Sequence, residues 1–369
     1  MPASDNGGDR RGPEASSSSR AGSEPAGADP AAPDPEAPDP DEDWIIDRLT
    51  VDPSRIPAAG AAGLRVGIGD DAALFEDGRI ITVDSMIEGV HWDDKLAPGD
   101  VGWKLVAVNV SDIAAMGGRP SYALLALGLP SPLDRAWVEA FADGLHAACA
   151  RWGVRLIGGD TTRAPIRTAS LTVGGHAERP VLRSTGQVGD DVWVTGRLGL
   201  AAEGFLALAP RPEARARLRR PEPPVAFAAA LAESGLVTAM MDLSDGLARD
   251  LGRLCVASGC GASIDPSALP GDGALAWRVG FGEDYELLFC AAAASRDAVR
   301  SVASMQEISI SRVGRLEARP GLRLVGGGEW PPSLFAHFPT AAPAVAPTGA
   351  RHAGAGLRAP RAPRTGGAL

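Results

Sequence analysis

Residues 66–84, V-G-I-G-D-D-A-A-L-F-E-D-G-R-I-I-T-V-D, constrain the fold more than any other stretch of the chain. Gly67 and Gly69 precede the adjacent acids Asp70 and Asp71, and glycine admits positive φ and close approach of backbone to a ligand. Residues 79–83 are short and β-branched, which predicts a strand that delivers Asp84 at its end. Two strands joined by a turn would gather these carboxylates around one cation, and oxygen donors of this kind suit Mg2+ or Ca2+. A solvated turn accounts for Gly-Asp-Asp taken alone, since turns favour both residue types. Recurrence argues for more. Residues 154–157 lead into Gly158-Gly159-Asp160, Met240-Met241 leads into Asp242-Leu243-Ser244-Asp245-Gly246, and Gly282-Glu283-Asp284 leads into a strand over 287–290.

Composition narrows the function classes. The chain has 369 residues, room for two domains of roughly 150 residues each. The net charge of −10 is mostly in one place, because residues 1–43 hold eleven acids against three arginines. Residues 340–369 hold four arginines and no acid, so the body is only mildly acidic and gives no support to nucleic-acid binding. Both tails are rich in Ala, Pro and Gly with little to bury, and are expected to be disordered. No run reaches the ~20 apolar residues of a membrane span, and the acidic N-terminal stretch is unlike a signal peptide. Cys149, Cys255, Cys260 and Cys290 have neither zinc spacing nor a disulfide framework, so free thiols and a cytoplasmic location are expected. Only two of the 36 basic residues are lysines, Lys95 and Lys104, and neither lies in a P-loop string; the protein-kinase string H-R-D is absent too.

The remaining pattern alternates helices and strands. A short amphipathic helix is expected at 44–49, and helices at 101–117 and 133–152 flank a buried strand over 121–129. On the first long helix Leu105, Val108, Asp112 and Ala115 share a face, and an acid on an apolar face is costly unless paired or metal-bound. Further strands are expected at 169–175, 192–195 and 309–316. After Asp242, Ser244 is placed to cap a helix carrying Leu247, Leu251, Leu254 and Cys255 on one face. Gathering Asp70, Asp71, Asp84, Asp112, Asp160, Asp242 and Asp245 around one pocket would be destabilising without cations. Several Mg2+ ions on polyphosphate oxygens would relieve that repulsion and align a phosphoryl group for transfer.

Five strings in order, G-I-G-D-D-A-A-L, N-V-S-D-I-A-A-M-G, L-I-G-G-D-T-T-R, D-L-S-D-G-L and G-E-D-Y-E-L, resemble the thiamine-monophosphate kinase family of the PurM-like ATP-binding superfamily. The resemblance spans about residues 44–338. It implies an α+β, PurM-like two-domain fold. An N-terminal domain (44–180) would pair with its twin to close a dimeric β-barrel, and a C-terminal α/β domain (181–339) would form the outer wall of the site. It also implies a cytoplasmic homodimer that phosphorylates thiamine monophosphate with ATP and Mg2+. Carried over by motif, Asp71, Asp84, Asp112, Asp160 and Asp242 resemble metal ligands, with Asp245 on a further ion. Thr82 and Val83 join that set; similar sequences usually carry hydroxyls there, so Val83 would offer only its carbonyl. Gly159, Asp160, Arg183 and Ser244 match ATP-contacting positions, and His91, Glu283 and Phe335 match substrate-contacting ones. Phe335 and Trp92 are expected to stack on the thiazolium or pyrimidine ring. No nucleophile or general base is expected, because a phosphate monoester is already ionised at neutral pH.

Related activities fit less well. Selenophosphate synthetase needs a reactive residue near the N-terminus, whereas the first cysteine here is Cys149, and the hydrogenase-maturation dehydratase uses a C-terminal cysteine. Aminoimidazole ribonucleotide synthetase is disfavoured by D-L-S-D-G and G-E-D-Y-E-L. A Ca2+-stabilised binding module without turnover is the alternative from another class.

Overall fold

The computed structural model describes residues 63–331 together with Ile45, Ile46, Leu49 and Leu334. Ile45, Ile46 and Leu49 are helical, in line with the expected opening helix. Both expected tails and Phe335 lie outside the described residues.

The first sheet is built from β1 (Leu64–Val66), β2 (Ala73–Phe75), β3 (Arg79–Ile87), β4 (Arg119–Leu129), β5 (Arg155–Arg163) and β6 (Thr168–His176), in the order β1-β2-β3-β6-β4-β5. Only β4 and β5 run parallel, and parallel neighbours need a crossover. Helix α2 (Arg135–Trp152) supplies it, starting where the Asp134 carboxylate accepts from Trp137 N at 3.0 Å. Helix α1 (Pro98–Ala115) precedes β4 and is buried on almost every side, including the polar residues Asp100, Lys104, Asn109 and Ser111. Leu74, Ile80, Leu171 and Val173 of the sheet pack with Leu105, Ile113 and Phe141 of the two helices. The helices cross closely because Gly102 and Gly144 lack side chains. A Cβ at Gly102 would collide with the Phe141 carbonyl, and one at Gly144 with the Gly99 carbonyl.

The second sheet is covered on both faces. It contains β7 (Asp191–Thr195), β8 (Val237–Asp242), β9 (Gly261–Ile264), β10 (Leu287–Ala291), β11 (Ile310–Glu317) and β12 (Gly321–Leu324), in the order β12-β9-β11-β7-β10-β8. Between β7 and β8 come α3 (Leu200–Leu206), α4 (Pro212–Arg219) and α5 (Val225–Ser234); α6 (Leu247–Ala257), α7 (Leu275–Gly280) and α8 (Arg296–Met305) follow. Val192, Val194, Met241 and Leu288 face Leu251 and Leu254 of α6. Trp193, Met240 and Phe289 face Phe227 and Leu231 of α5 and Val299 of α8. Every residue of β7 and β10 is buried, which explains their continuous rather than alternating apolar pattern.

Two expectations change here. β3 does not end at Asp84: it continues through Ile87 because β6 pairs with its whole length, with Asp84 opposite Leu171. β5 likewise runs on through Asp160 to Arg163 as the partner of β4. Within one described chain the first sheet is open, with β1 and β5 at its edges, so no barrel closes.

Candidate active site

A cavity of about 690 Å3 opens between the two sheets, with α1 along one side. Its floor is acidic. Asp71 comes from the turn before β2, Asp112 from the last turn of α1 and Asp242 from the end of β8. Their carboxylate oxygens lie within 4.8 Å of one another, although the residues are far apart in sequence. Thr82 Oγ1 donates to Asp112 Oδ2 at 2.6 Å, and Ser111 Oγ donates to Asp242 Oδ2 at 2.6 Å. Asn109 of α1 accepts from Asp84 N at 2.9 Å, which ties β3 to the helix. Asp71 Oδ2 is buried without a hydrogen-bond donor, as a carboxylate oxygen reserved for a cation would be.

Electrostatics agree with that reading. Burial pushes Asp84 up to about 6, reinforced by Asp242, Asp245 and Glu283. Burial also raises Asp242 to about 6, although the Ser111 hydroxyl and Arg183 pull the other way. Asp71 and Asp112 are raised well above the carboxylate range, by burial first and by neighbouring acids second. These acids cannot all ionise side by side without positive charge. Arg183 supplies some: Nη2 donates to Asp71 Oδ1 at 2.7 Å, and its backbone N donates to Asp70 Oδ2 at 3.2 Å. A hard divalent cation fits the remaining donor set of hydroxyl-braced carboxylates.

The same cavity also has an organic lining. Trp277, Phe281 and Phe205 form an aromatic wall, with the Phe205 and Phe281 rings 5.7 Å apart. Glu283 sits beside it, paired with the Lys104 ammonium. His91 Nδ1 accepts from Ile87 N at 3.0 Å, so the neutral ring carries its proton on Nε2. Leu334, held by its N–H to Gly280 O at 2.7 Å, brings the chain to the rim one residue before Phe335.

Of the residues singled out in the sequence, Asp70, Asp71, Asp84, Asp112, Arg183, Asp242, Ser244, Asp245, His91 and Glu283 line this one cavity. Thr82 lies behind Asp112 as a hydroxyl brace. Val83 points its side chain to the other face of β3 and is 59 % exposed, a consequence of strand alternation. Gly159 and Asp160 do not line the cavity. They lie on the exposed edge strand β5, where Gly159 packs against the Leu125 carbonyl and leaves no room for a Cβ. Ser244 is not the cap of α6, which starts after Gly246 at φ 101°; its hydroxyl braces Asp242 instead. Trp92 belongs to the first core rather than to the pocket.

Sequence reasoning missed Lys104, Ser111, Arg253 and the aromatic wall. Arg253 Nη1 donates to Asp245 Oδ2 at 2.6 Å, and the wholly buried Asp250 accepts from Asp245 N at 3.1 Å. Ser111 could have been found beside Asp112, and Lys104 as one of only two lysines. Trp277 and Phe205 carry no local signal, because two short helices far apart in sequence, α7 and α3, bring them together.

The AIR synthase related protein families match this chain, the N-terminal domain over residues 69–177 and the C-terminal domain over residues 187–327. A thiamine-monophosphate kinase from Salmonella typhimurium is 38 % identical over 293 residues, covering 72 % of this chain and 88 % of the relative. The crystal structure of a thiamine-monophosphate kinase from Stenotrophomonas maltophilia K279a is 37 % identical, with a TM-score of 0.63 over 73 % of this chain and 93 % of that one. A structure described as AaThiL complexed with AMPPCP and TMP is 28 % identical, with a TM-score of 0.68 over 81 % of this chain and 97 % of that one.

Proposed function

Because the chain belongs to the thiamine-monophosphate kinase family of AIR-synthase-related proteins, we propose that its cavity transfers the terminal phosphoryl group of ATP to thiamine monophosphate, giving thiamine diphosphate. One observation carries the reading: the clustered carboxylates of Asp71, Asp112 and Asp242 and an aromatic wall with an oriented carboxylate line a single cavity. Such a cavity suits a polyphosphate at one end and a cationic heterocycle at the other.

Asp71, Asp84, Asp112 and Asp242 would hold Mg2+, with Asp245 on a further ion and Thr82 and the Val83 carbonyl in support. Bound there, Mg2+ neutralises polyphosphate charge and aligns the transferred group. Arg183, braced by Asp70 and Asp71, presents its planar fork to phosphate oxygens. Ser244 keeps Asp242 in place beside the nucleotide. His91 would contact the acceptor, and Glu283 would accept from its exocyclic amine, with Phe335 and Trp277 against its faces. The acceptor phosphate needs no base, so the work is positioning and charge neutralisation.

The domain division falls at residues 180 and 181. In support, Ala177 packs in the first core and Val181 in a core of the second sheet. The active form is a cytoplasmic homodimer joined along the first sheet, closing the barrel that one chain leaves open. All nine residues of edge strand β5 are exposed, Ile157 among them, and so are Val83 and Leu124 on the sheet. An exposed edge with apolar neighbours is normally covered. The metal and nucleotide contacts of Gly159 and Asp160 would then belong to the assembled dimer. Among the described residues no helix is long and apolar enough to cross a membrane.

The test is ADP release with Mg2+ and ATP, comparing thiamine monophosphate, free thiamine, aminoimidazole-pathway formylglycinamidine ribonucleotide and no acceptor. Release with thiamine monophosphate alone, matched by thiamine diphosphate on chromatography, is expected. Release only with the purine intermediate would move the protein to the synthetase branch.

A further inference from the structure

We propose that Lys104 is a positioning residue for the acceptor, holding the Glu283 carboxylate in the orientation that receives the N–H groups of an amine-bearing heterocycle. This rests on the phosphotransfer reading above. Lys95, the other lysine, is a surface residue beside Asp93, whereas the Lys104 side chain is only 4 % exposed. In a chain that uses arginine for 34 of its 36 basic residues, a buried lysine marks a place where a compact ammonium is needed.

Lys104, Val108 and Asp112 follow one another at four-residue intervals on α1, and all three line the cavity. Eight residues of helix separate the first and last by about 12 Å along the axis. A single rigid element therefore fixes the spacing between Asp112 and the lysine that holds Glu283. The ammonium donates to Glu283 Oε2, while the Tyr285 hydroxyl donates to Oε1 at 3.3 Å. Each oxygen has one donor, one from the first domain and one from the second. An ionised carboxylate has about four acceptor sites, so capacity remains for substrate N–H groups.

The backbone under Glu283 is built for the same end. Glu283 and Tyr285 adopt φ of 67° and 48°, a left-handed conformation that non-glycine residues rarely hold. It persists because Glu283 N donates to Ser244 O at 2.8 Å and Tyr285 N donates to Leu243 O at 2.9 Å. The turn is thus fastened to the segment that carries Asp242 and Asp245, while Lys104 fastens the side chain to α1.

The test compares Lys104→Met, Lys104→Gln, Glu283→Gln and the double variant Lys104→Met/Glu283→Gln, with kcat and KM measured separately for thiamine monophosphate and ATP. We expect Lys104→Met and Lys104→Gln to raise the KM for thiamine monophosphate by about tenfold or more, with kcat and the KM for ATP within about twofold. The double variant should be no worse than Glu283→Gln alone, because both changes disable one device. An unchanged KM for thiamine monophosphate, a parallel rise in the KM for ATP, or additive effects in the double variant would overturn the proposal. Lys104→Gln keeps a donor at the site and stays informative if Lys104→Met does not fold. Failure of the unmodified protein to use thiamine monophosphate would instead remove the phosphotransfer reading.

Discussion

Gly69-Asp70-Asp71 and Gly158-Gly159-Asp160 read alike in sequence, each a run of glycine and acid beside β-forming residues. Their fates differ. Asp71 is buried in the cavity floor between β2, α1 and β8, with Arg183 on one oxygen and no donor on the other. Asp160 stands in the middle of an exposed edge strand. The glycines differ too, since nothing crowds Gly69, whereas Gly159 is pressed against the Leu125 carbonyl. One local pattern thus lies on the cavity floor in the first case and on a packed edge strand in the second, and sheet order decides which.

The sharpest way to break this contrast is at the floor. Asp71→Asn or Asp112→Asn should lower kcat by roughly 10^3-fold while the fold survives, the scale of losing a main transition-state charge stabiliser. Near-normal turnover with an unchanged circular dichroism spectrum would remove that acid from the cation site.

At the edge strand, Gly159→Ala should cost about 1–3 kcal/mol by overpacking against the β4 backbone. A melting temperature lower by several degrees would show it. Asp160→Asn beside it should leave that temperature within about 1 °C, since exposed polar changes rarely exceed about 0.5 kcal/mol. Its loss of turnover should track dimer concentration in sedimentation and activity assays run side by side.

A pH series sharpens the comparison from the floor side. Asp84 and Asp242 titrate near 6 in the folded protein, above the ordinary carboxylate value of 3.8. Between those values the folded state binds more protons than the unfolded one, so stability in the absence of metal falls as pH rises through about 6. Mg2+ should therefore raise the melting temperature more at pH 7.5 than at pH 5. An equal rise at both would detach these acids from the cation.

The smallest effect belongs to Val83→Thr, with kcat within about twofold, because its side chain leaves the site on the far face of β3. A large gain would place a side chain in the metal shell.

How much was legible in the sequence follows the same physical line. The helix at 101–117 and the strand at 121–129 were readable to within a few residues, because apolar periodicity and Gly117-Gly118 mark them locally. Asp112 stood out because an acid on an apolar face needs a reason to be there. Strand ends were misjudged at Asp84 and Asp160, since the length of β3 and β5 is set by partners β6 and β4. The Ser244 cap failed for a related reason: its hydroxyl found Asp242.

The sequence alone therefore determined which residues could carry charge chemistry, and ordered motifs pointed to the kinase family. Tertiary structure decided which acids come together. Asp71, Asp112 and Asp242 meet only because α1 lies between the two sheets, and Trp277 and Lys104 join the site through the same packing. Propensity and periodicity act over a few residues, whereas burial, repulsion and hydrogen-bond satisfaction act between groups the chain brings together from more than a hundred residues apart.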